Sequence, residues 1–370
     1  MVIVKRLLKL SILFVVIVLA SCGIIPVLQQ DIPLDPIGVR VPNTWGNDLD
    51  IFFTIDKLPS SIPIFDPISS PMPLKLKLSI PDYLGTLDNG KVMVFEDGKP
   101  QGFVIVKETE VRIGADIVFL VDTTGSMSDE ISGVKSSIQK FLQSLSDAGY
   151  DIKAAVIPFG DYAPGNPDYE GASYSAPFIN LSDSEIASNY ANELVAYGGQ
   201  DLPENIYGAI MFAWNNMNWR AGTERVIILL TDAFSHYTGD QPPDVTWPNF
   251  IIPENEFFDP YTKQDVFEAI YGYATLHIIA STGTFYYESD TDFSHPGDPR
   301  ELVNATGGLI IYQEGTEEPD LSEIGIAEYI LSSWLIFFET DSYKNSHDLN
   351  VFVELPNGTQ GKEQLSGVIY

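Results

Sequence analysis

Three short segments hold the residues whose types and spacing could do chemistry. They are Asp122-Thr123-Thr124-Gly125-Ser126-Met127, Gly198-Gly199-Gln200-Asp201-Leu202-Pro203-Glu204 and Leu230-Thr231-Asp232. Each offers carboxylate or hydroxyl oxygens, and none offers a thiol or an imidazole. Hard oxygen donors suit Mg2+, Mn2+ or Ca2+. In the first segment, alternate residues 122, 124 and 126 can point one way from an extended turn, and Gly125 lets the backbone turn tightly between two ligands. Mg2+ keeps several waters when bound and leaves a position for an outside oxygen. Taken singly, each segment has an ordinary explanation: an Asp at a strand end often caps a helix, and an Asp or a Thr-Asp pair opens one. Together they supply an all-oxygen donor set, which is consistent with a hard cation.

Other chemistry is poorly provided for. The histidines are His236, His277, His295 and His347, and no pair has metal-ligand spacing. His277 lies within an apolar stretch and reads as a satisfied core residue. There is no Gly-x-Ser-x-Gly, no phosphate-binding Gly-rich loop with its Lys, and no His-Glu-x-x-His. Without a visible nucleophile–base set, the chain reads as a binder and not an enzyme.

The elements that must position these oxygens follow from periodicity. From Asp116 onward the strands are continuous apolar runs: Ile117–Val121, Ala154–Phe159, Val226–Leu230, Leu276–Ala280 and Leu309–Tyr312. Runs apolar on both faces suit a parallel sheet covered by helices on each side. Between them, Asp129 to Ala148 carries Ile131, Val134, Ile138, Phe141, Leu142 and Leu145 at helical spacing. Further helices are predicted at Ser184–Ala196, Pro203–Met217, Thr262–Ala274 and Leu321–Ser332. Alternating β and α elements predict a doubly wound, mostly parallel α/β sheet flanked by helices. All three segments then fall at strand C-terminal ends or in adjacent loops, where open α/β sheets place their ligands.

The flanking regions read differently. Leu49, Ile51, Phe53 and Ile55 alternate with polar residues, and so do Leu74, Leu76, Leu78 and Ile80, the pattern of half-buried antiparallel strands. Lys91–Glu96 and Gln101–Lys107 flank Asp97-Gly98-Lys99-Pro100, a hairpin signal. The alternating style returns at Leu335–Glu339, Asp348–Leu355 and Leu365–Tyr370. The expected division is a β-sandwich-like segment over 46–112, an α/β domain over 113–335, and a C-terminal β segment over 336–370. That last segment either completes the sandwich or forms a short sheet of its own. The loop from Ala233 to Tyr261 is long for a βα connection. It carries His236, Tyr237, Trp247, Phe250, Phe257, Phe258 and Tyr261, and is either a ligand-specificity loop or an insertion with its own small core.

The N-terminus reads as a targeting segment. Lys5, Arg6 and Lys9 precede or enter an apolar stretch, Leu7 to Ala20, too short for a comfortable bilayer span and of the size of a signal-peptide core. It ends in Leu19-Ala20-Ser21-Cys22-Gly23, which resembles the lipobox of bacterial lipoproteins. That resemblance implies cleavage of residues 1–21, lipidation of Cys22, a tether over 22–45, and an extracytoplasmic place in the cell envelope, on an outer surface or a periplasmic face. Cys22 is the only cysteine, so internal disulfides are excluded and core packing must hold the fold. The net charge of −31 argues against nucleic-acid partners.

The three oxygen-bearing segments resemble the metal-ion-dependent adhesion site of von Willebrand factor A (vWA) domains. Asp122, Thr124 and Ser126 match its Asp-x-Ser/Thr-x-Ser element, Asp201 its Gly-rich-loop Thr or Asp, and Asp232 its Asp after a later strand. Phe159-Gly160-Asp161 and Ala305-Thr306-Gly307-Gly308 also resemble recurring vWA segments. The resemblance implies that Thr124, Ser126 and Asp201 contact a divalent cation, Mg2+ first with Mn2+ or Ca2+ as alternatives. Asp122 and Asp232 would hold waters and the hydroxyls. It implies a partner, a protein or other extracellular ligand, that offers a carboxylate to the open coordination position. Asp201 departs from the Thr of many members: a third carboxylate should strengthen resting metal binding and weaken the pull on an incoming carboxylate. The expected function is metal-dependent ligand binding or adhesion, with a structural envelope scaffold, its ion only stabilising loops, as the alternative.

Overall fold

A computed structural model of the chain describes residues 31–59, 73–81, 83–112, 114–160, 176–199, 202–239, 261–314, 325–340, 342–343 and 345–370. Five strands come first: β1 (Phe52–Ile55), β2 (Leu74–Ser79), β3 (Val92–Glu96), β4 (Lys99–Pro100) and β5 (Phe103–Lys107). One helical turn, α1 (Glu108–Val111), leads into the α/β unit. There follow β6 (Gly114–Asp122), α2 (Ile131–Asp147), β7 (Asp151–Phe159), β8 (Ile179–Ser182), α3 (Ser184–Ala191) and α4 (Ile206–Asn216). The unit continues with β9 (Glu224–Thr231), α5 (Lys263–Ile270), β10 (Thr275–Thr282), α6 (Arg300–Ala305), β11 (Ile310–Glu314) and α7 (Ile326–Leu331). The chain ends in β12 (Ser333–Phe338), β13 (Ser346–Glu354) and β14 (Gln360–Ile369).

The α/β unit is the doubly wound, mostly parallel sheet that the apolar runs predict. Its strand order is β11-β10-β9-β6-β7-β8, with only β8 antiparallel. Neighbouring residues of β6 serve opposite faces. Ile117, Phe119 and Val121 pack with Ile138, Phe141 and Leu142 of α2 on one side. Val118 and Leu120 pack with Ile206, Tyr207 and Ile210 of α4 on the other. Each such fully buried aliphatic or aromatic side chain contributes about 1.5–3 kcal/mol. Chain order reverses between β6 and β9, which run side by side in parallel. That reversal opens a crevice beyond their C-terminal ends, and those ends carry Asp122 and Asp232.

Strands from both ends of the chain make up two antiparallel sheets, β1-β2-β12-β5 and β14-β13-β3-β4. Their inner faces share one core that includes Phe53, Leu76, Leu78, Val94, Ile336, Leu349 and Val351. β12 lies between β2 and β5, and β13 pairs with β3, so the C-terminal strands complete sheets begun before residue 108.

Several expectations need correction. The turn at Asp97-Gly98 has the two positive φ values (50° and 75°) of a tight hairpin, but only Lys99–Pro100 returns along β3. At Gly102 the chain crosses to the other sheet, where β5 pairs with β12. A Cβ at Gly102 would lie 1.9 Å from the Pro33 carbonyl oxygen, so only glycine allows this passage. The strand expected at 335–339 starts at Ser333 and belongs wholly to the antiparallel sheet. Within residues 31–45, expected as tether, contacts to the body include Ile32, which packs on Val111, Leu335 and Phe337, and Trp45, whose Nε1 donates to the Gly361 carbonyl at 3.0 Å. His277 is only half satisfied: Nδ1 accepts from the Leu309 N–H at 3.0 Å, while Nε2 has no hydrogen-bond partner. Burial and the Lys77 charge push its pKa down to about 3, so the ring is neutral.

The alternation of Leu74, Leu76, Leu78 and Ile80 places the residues between them on a polar face, yet Lys77 is 4 % exposed. It pairs with Glu224 at the start of β9 and lies 3.6 Å from Glu108. Arg112 joins Glu108 to Asp56 beside it. This buried ionic cluster fastens the α/β unit to the antiparallel sheets. Taking charges from water costs several kcal/mol per ion, so the cluster tolerates no missing member.

Candidate metal centre

The site is built at the end of β6. Asp122 is the last residue of that strand and has no exposed surface. Its Oδ1 accepts from the Thr124 N–H at 3.0 Å and the Thr124 hydroxyl at 2.7 Å, and its Oδ2 accepts from the Thr231 hydroxyl at 2.7 Å. The chain then enters a single 3-10 turn, Gly125–Ser128. Thr124 Oγ1 and Ser126 Oγ lie 3.1 Å apart, and Ser126 Oγ donates to Asp232 Oδ1 at 3.1 Å. Two hydrogen-bonded pairs, Thr124 to Asp122 and Ser126 to Asp232, thus stand side by side with their hydroxyl oxygens 3.1 Å apart. Asp201 lies outside the described residues, as does Cys22. The part of the long loop from 240 to 260 also lies outside them.

Glycines shape the wall. Gly125 N–H donates to the Gly198 carbonyl at 3.0 Å, and a Cβ at Gly125 would stand 2.9 Å from that oxygen. Cβ atoms at Gly160 and Gly199 would lie 3.1 Å from the Thr124 side chain. The Thr124 methyl therefore occupies space that its two neighbours leave by having no side chain. Gly198 and Gly199 both have φ near +80°, which suits glycine and strains other residues. The Gly-Gly pair of the second segment thus has a steric reason.

Above these groups lies an open cavity of about 170 Å³, lined by Thr124, Ser126, Gly199, Leu202, Asp232 and Phe285 among others. Glu204, buried, also lines it. Leu202 is exposed at the rim. Burial raises the Asp122 pKa to about 7, the Asp232 charge adds to this, and the hydrogen bonds from Thr124 and Thr231 oppose it. Burial likewise raises the Asp232 carboxyl, opposed by the Ser126 hydroxyl. Two desolvated carboxylates that repel each other, with hydroxyls aimed between them, form a donor set suited to a hard divalent cation. Among the described residues no three His, Cys, Asp or Glu side chains converge as a metal cluster. The donors seen here are two carboxylates and two hydroxyls.

Some participants escaped sequence reasoning. Thr231 was noted only as part of a Thr-Asp pair, yet it holds Asp122, and its Oγ1 also accepts from the Ala233 N–H at 3.1 Å. Phe285 and Thr284 reach the cavity from the loop after β10, with no motif to announce them. Glu130, at the start of α2, accepts from Ser281 at 2.9 Å beneath the same face.

Residues 116–238 match the von Willebrand factor A domain family. An alpha-protein kinase of Dictyostelium discoideum, vwkA, is 32 % identical over 126 residues, which are 33 % of this chain and 19 % of that protein. Integrin beta-1-A of Xenopus laevis is 26 % identical over 170 residues, 40 % of this chain and 21 % of the integrin. The chain thus spans about a fifth of the length of the curated relatives it matches. The pilus adhesin SpaC of Lactobacillus rhamnosus GG, in an open conformation, overlays loosely on 89 % of this chain and 48 % of its own, with 11 % identity and a TM-score of 0.38. The family match falls within the α/β unit, whose parallel sheet reverses its order between the strands bearing Asp122 and Asp232.

Proposed function

We propose that this chain is a ligand-binding or adhesion module of the bacterial cell envelope that engages its partner through a divalent cation. Thr124, Ser126 and Asp201 would hold the cation, with Asp122 and Asp232 orienting the hydroxyls and balancing the charge. Mg2+ is the expected ion, and Mn2+ or Ca2+ would fit the same oxygens. When bound, the cation supplies a Lewis-acidic position open to an oxygen from outside. The partner is accordingly a protein or other extracellular ligand that presents a carboxylate. Lipidation at Cys22 would place the module on the outer side of a membrane, free of its signal peptide.

One observation carries this reading: Thr124, Ser126 and Asp232 line an open cavity, with Asp122 accepting from the Thr124 hydroxyl beneath it and Asp232 accepting from Ser126. A purely structural ion would be closed off by protein, whereas here the hydroxyls face a space large enough for a ligand group. The integrin relatives support an adhesive or ligand-binding role. Kinase activity does not follow from the vwkA likeness, which covers 19 % of that protein. Among the described residues, those lining the cavity include no histidine or cysteine.

The test is calorimetric titration of Mg2+, Mn2+ and Ca2+ into chelator-stripped protein, beside Asp122→Ala. One site near stoichiometry, absent from a variant that keeps its fold, is the expected result. A folded wild-type protein that takes up none of the three ions would end the metal mechanism.

A further inference from the structure

We infer that Phe285 and Leu202 set the ligand class of the metal site: a protein segment that offers one carboxylate with a bulky apolar side chain next to it. The inference rests on the metal-site reading and adds what must lie beside the coordinating group.

The cavity is not lined by oxygen donors alone. Phe285 and Leu202 share it with Thr124, Ser126 and Asp232. Leu202 is 64 % exposed, more than any other large apolar side chain among the described residues of the α/β unit. Phe285 is half-buried on a loop that is firmly held. Its ring stacks on Phe234 at 4.8 Å between centroids, and Phe234 stacks in turn on His295 at 5.1 Å. The next residue, Tyr286, is fully buried and donates its hydroxyl to the carbonyl of Ala233, the neighbour of Asp232, at 2.5 Å. Farther along, the buried Arg300 at the start of α6 places its guanidinium 4.2 Å from the Phe293 ring centroid and pairs with Asp290 and Asp298 at 2.7 Å each. Gly297 brings the same loop onto Ser235, where a Cβ would lie 2.2 Å from the carbonyl oxygen. The loop is thus fixed at several points and keeps the Phe285 ring at the cavity. Leaving that ring and a leucine in water is unfavourable, and an apolar side chain that covers them recovers the free energy.

Charge limits the rest of the ligand. Among the described residues that line the cavity, the charged ones are Asp232 and Glu204, and none is basic. The cation attracts one carboxylate. A second acidic group on the ligand meets these carboxylates at close range, in a partly buried space where repulsion is weakly screened. The net charge of −31 adds to that repulsion. An acidic polysaccharide repeats its carboxylates and surrounds them with hydroxyls, so it fits neither the charge nor the apolar wall. A peptide segment with a single Asp or Glu beside a Leu or Phe fits both.

The test loads the full chain with Mn2+ and follows water proton relaxation as simple carboxylates displace metal-bound water. The probes are acetate, 3-phenylpropanoate, glutarate and galacturonate. 3-Phenylpropanoate should compete at least about tenfold better than acetate, and glutarate and galacturonate no better than acetate. Phe285→Ser should bring the first ratio to within about twofold while Mn2+ affinity stays that of the wild type. Leu202→Ser, at an exposed position where the fold is not at stake, should lower the ratio as well. Equal competition by acetate and 3-phenylpropanoate overturns the inference and leaves the metal reading standing, and so does a preference that survives both substitutions. Stronger competition by glutarate or galacturonate points to a polyanionic partner and overturns it too. Mn2+ that is bound but yields its water to none of the four is closed to outside ligands, which again overturns it. If Mn2+ is not taken up at all, the metal reading itself fails and this inference with it.

Discussion

Replacing Asp122 by Asn should stabilise the metal-free protein while abolishing its response to divalent ions. Asp122 has no exposed surface, and its pKa rises from 3.8 to about 7. A group whose acid form is favoured by folding costs stability as pH climbs from its unfolded pKa to its folded one, and the cost is constant above that. At 1.36 kcal/mol per pH unit, the rise corresponds to about 4 kcal/mol lost between pH 4 and 7. Asn keeps a carbonyl for the Thr124 N–H and hydroxyl but turns an amide toward Thr231, a mismatch of about 1 kcal/mol. Above pH 7 the variant should therefore exceed the chelated wild type by about 3 kcal/mol. Mg2+ at about a thousand times its Kd reverses the ranking, since it adds about 4.1 kcal/mol to a protein that binds it only when folded. Urea denaturation at several pH values, with chelator and with Mg2+, measures both effects. A wild type and variant that differ by less than about 1 kcal/mol across this range without metal would refute the electrostatic account.

Gly199→Ala puts a Cβ 3.1 Å from the Thr124 side chain at a φ of +79°, so it should cost about 1–2 kcal/mol and weaken metal uptake, whereas Thr124→Ser should do neither. Calorimetry on both variants decides. Lys77→Met leaves Glu108 and Glu224 facing each other in the interior and should cost about 3–5 kcal/mol at pH 8. The cost should shrink at pH 5, because burial and the Glu108 charge lift Glu224 to about 7 even with Lys77 present. A loss independent of pH in urea melts would contradict this. His347 faces acceptors with both ring nitrogens, Asp97 Oδ2 at 2.8 Å and the Ser342 carbonyl at 2.7 Å. Burial alone would lower its pKa, but these hydrogen bonds and the Glu96 and Asp97 charges outweigh it and raise it above 6.5. Its contribution is full below pH 6.5 and fades as pH rises through the folded value. His347→Gln should remove that slope in thermal melts, and an unchanged slope would count against the clamp.

The α/β half of the fold was legible because its strands are apolar on both faces, a pattern few other arrangements produce. Ile117 to Val121 are all buried, and the helix periodicity of 131–145 marks the residues that cover them. The edge strand Ile179–Ser182 was invisible for the opposite reason: all four residues are half-buried and show neither continuity nor alternation. Asp122, Thr124, Ser126 and Asp232 could be named from the sequence since each sits at or near a strand end, and the structure brings those four together. Contacts such as Lys77–Glu224, 147 residues apart, leave no local trace. Alternation correctly placed Leu76 and Leu78 in the core, yet it sent Lys77 to solvent because a second unit covering that face cannot be read from one strand. The tight turn at Asp97-Gly98 was readable, but the departure of the chain at Gly102 depends on Pro33, nearly seventy residues earlier.

The position of β12 between β2 and β5 sets an order on synthesis. When residue 107 has been made, β2 and β5 are both present, but the strand that must lie between them arrives more than two hundred residues later. At about 5–20 residues per second, the first sheet keeps two open edges for many seconds. In that interval the α/β unit, whose strands are contiguous in the chain from 114 to 314, can complete its own core. Open edges template pairing with other chains. The sparse alternation of Lys75, Lys77 and Lys107 along them gives nascent chains a mutual charge repulsion until Ser333–Phe338 is delivered.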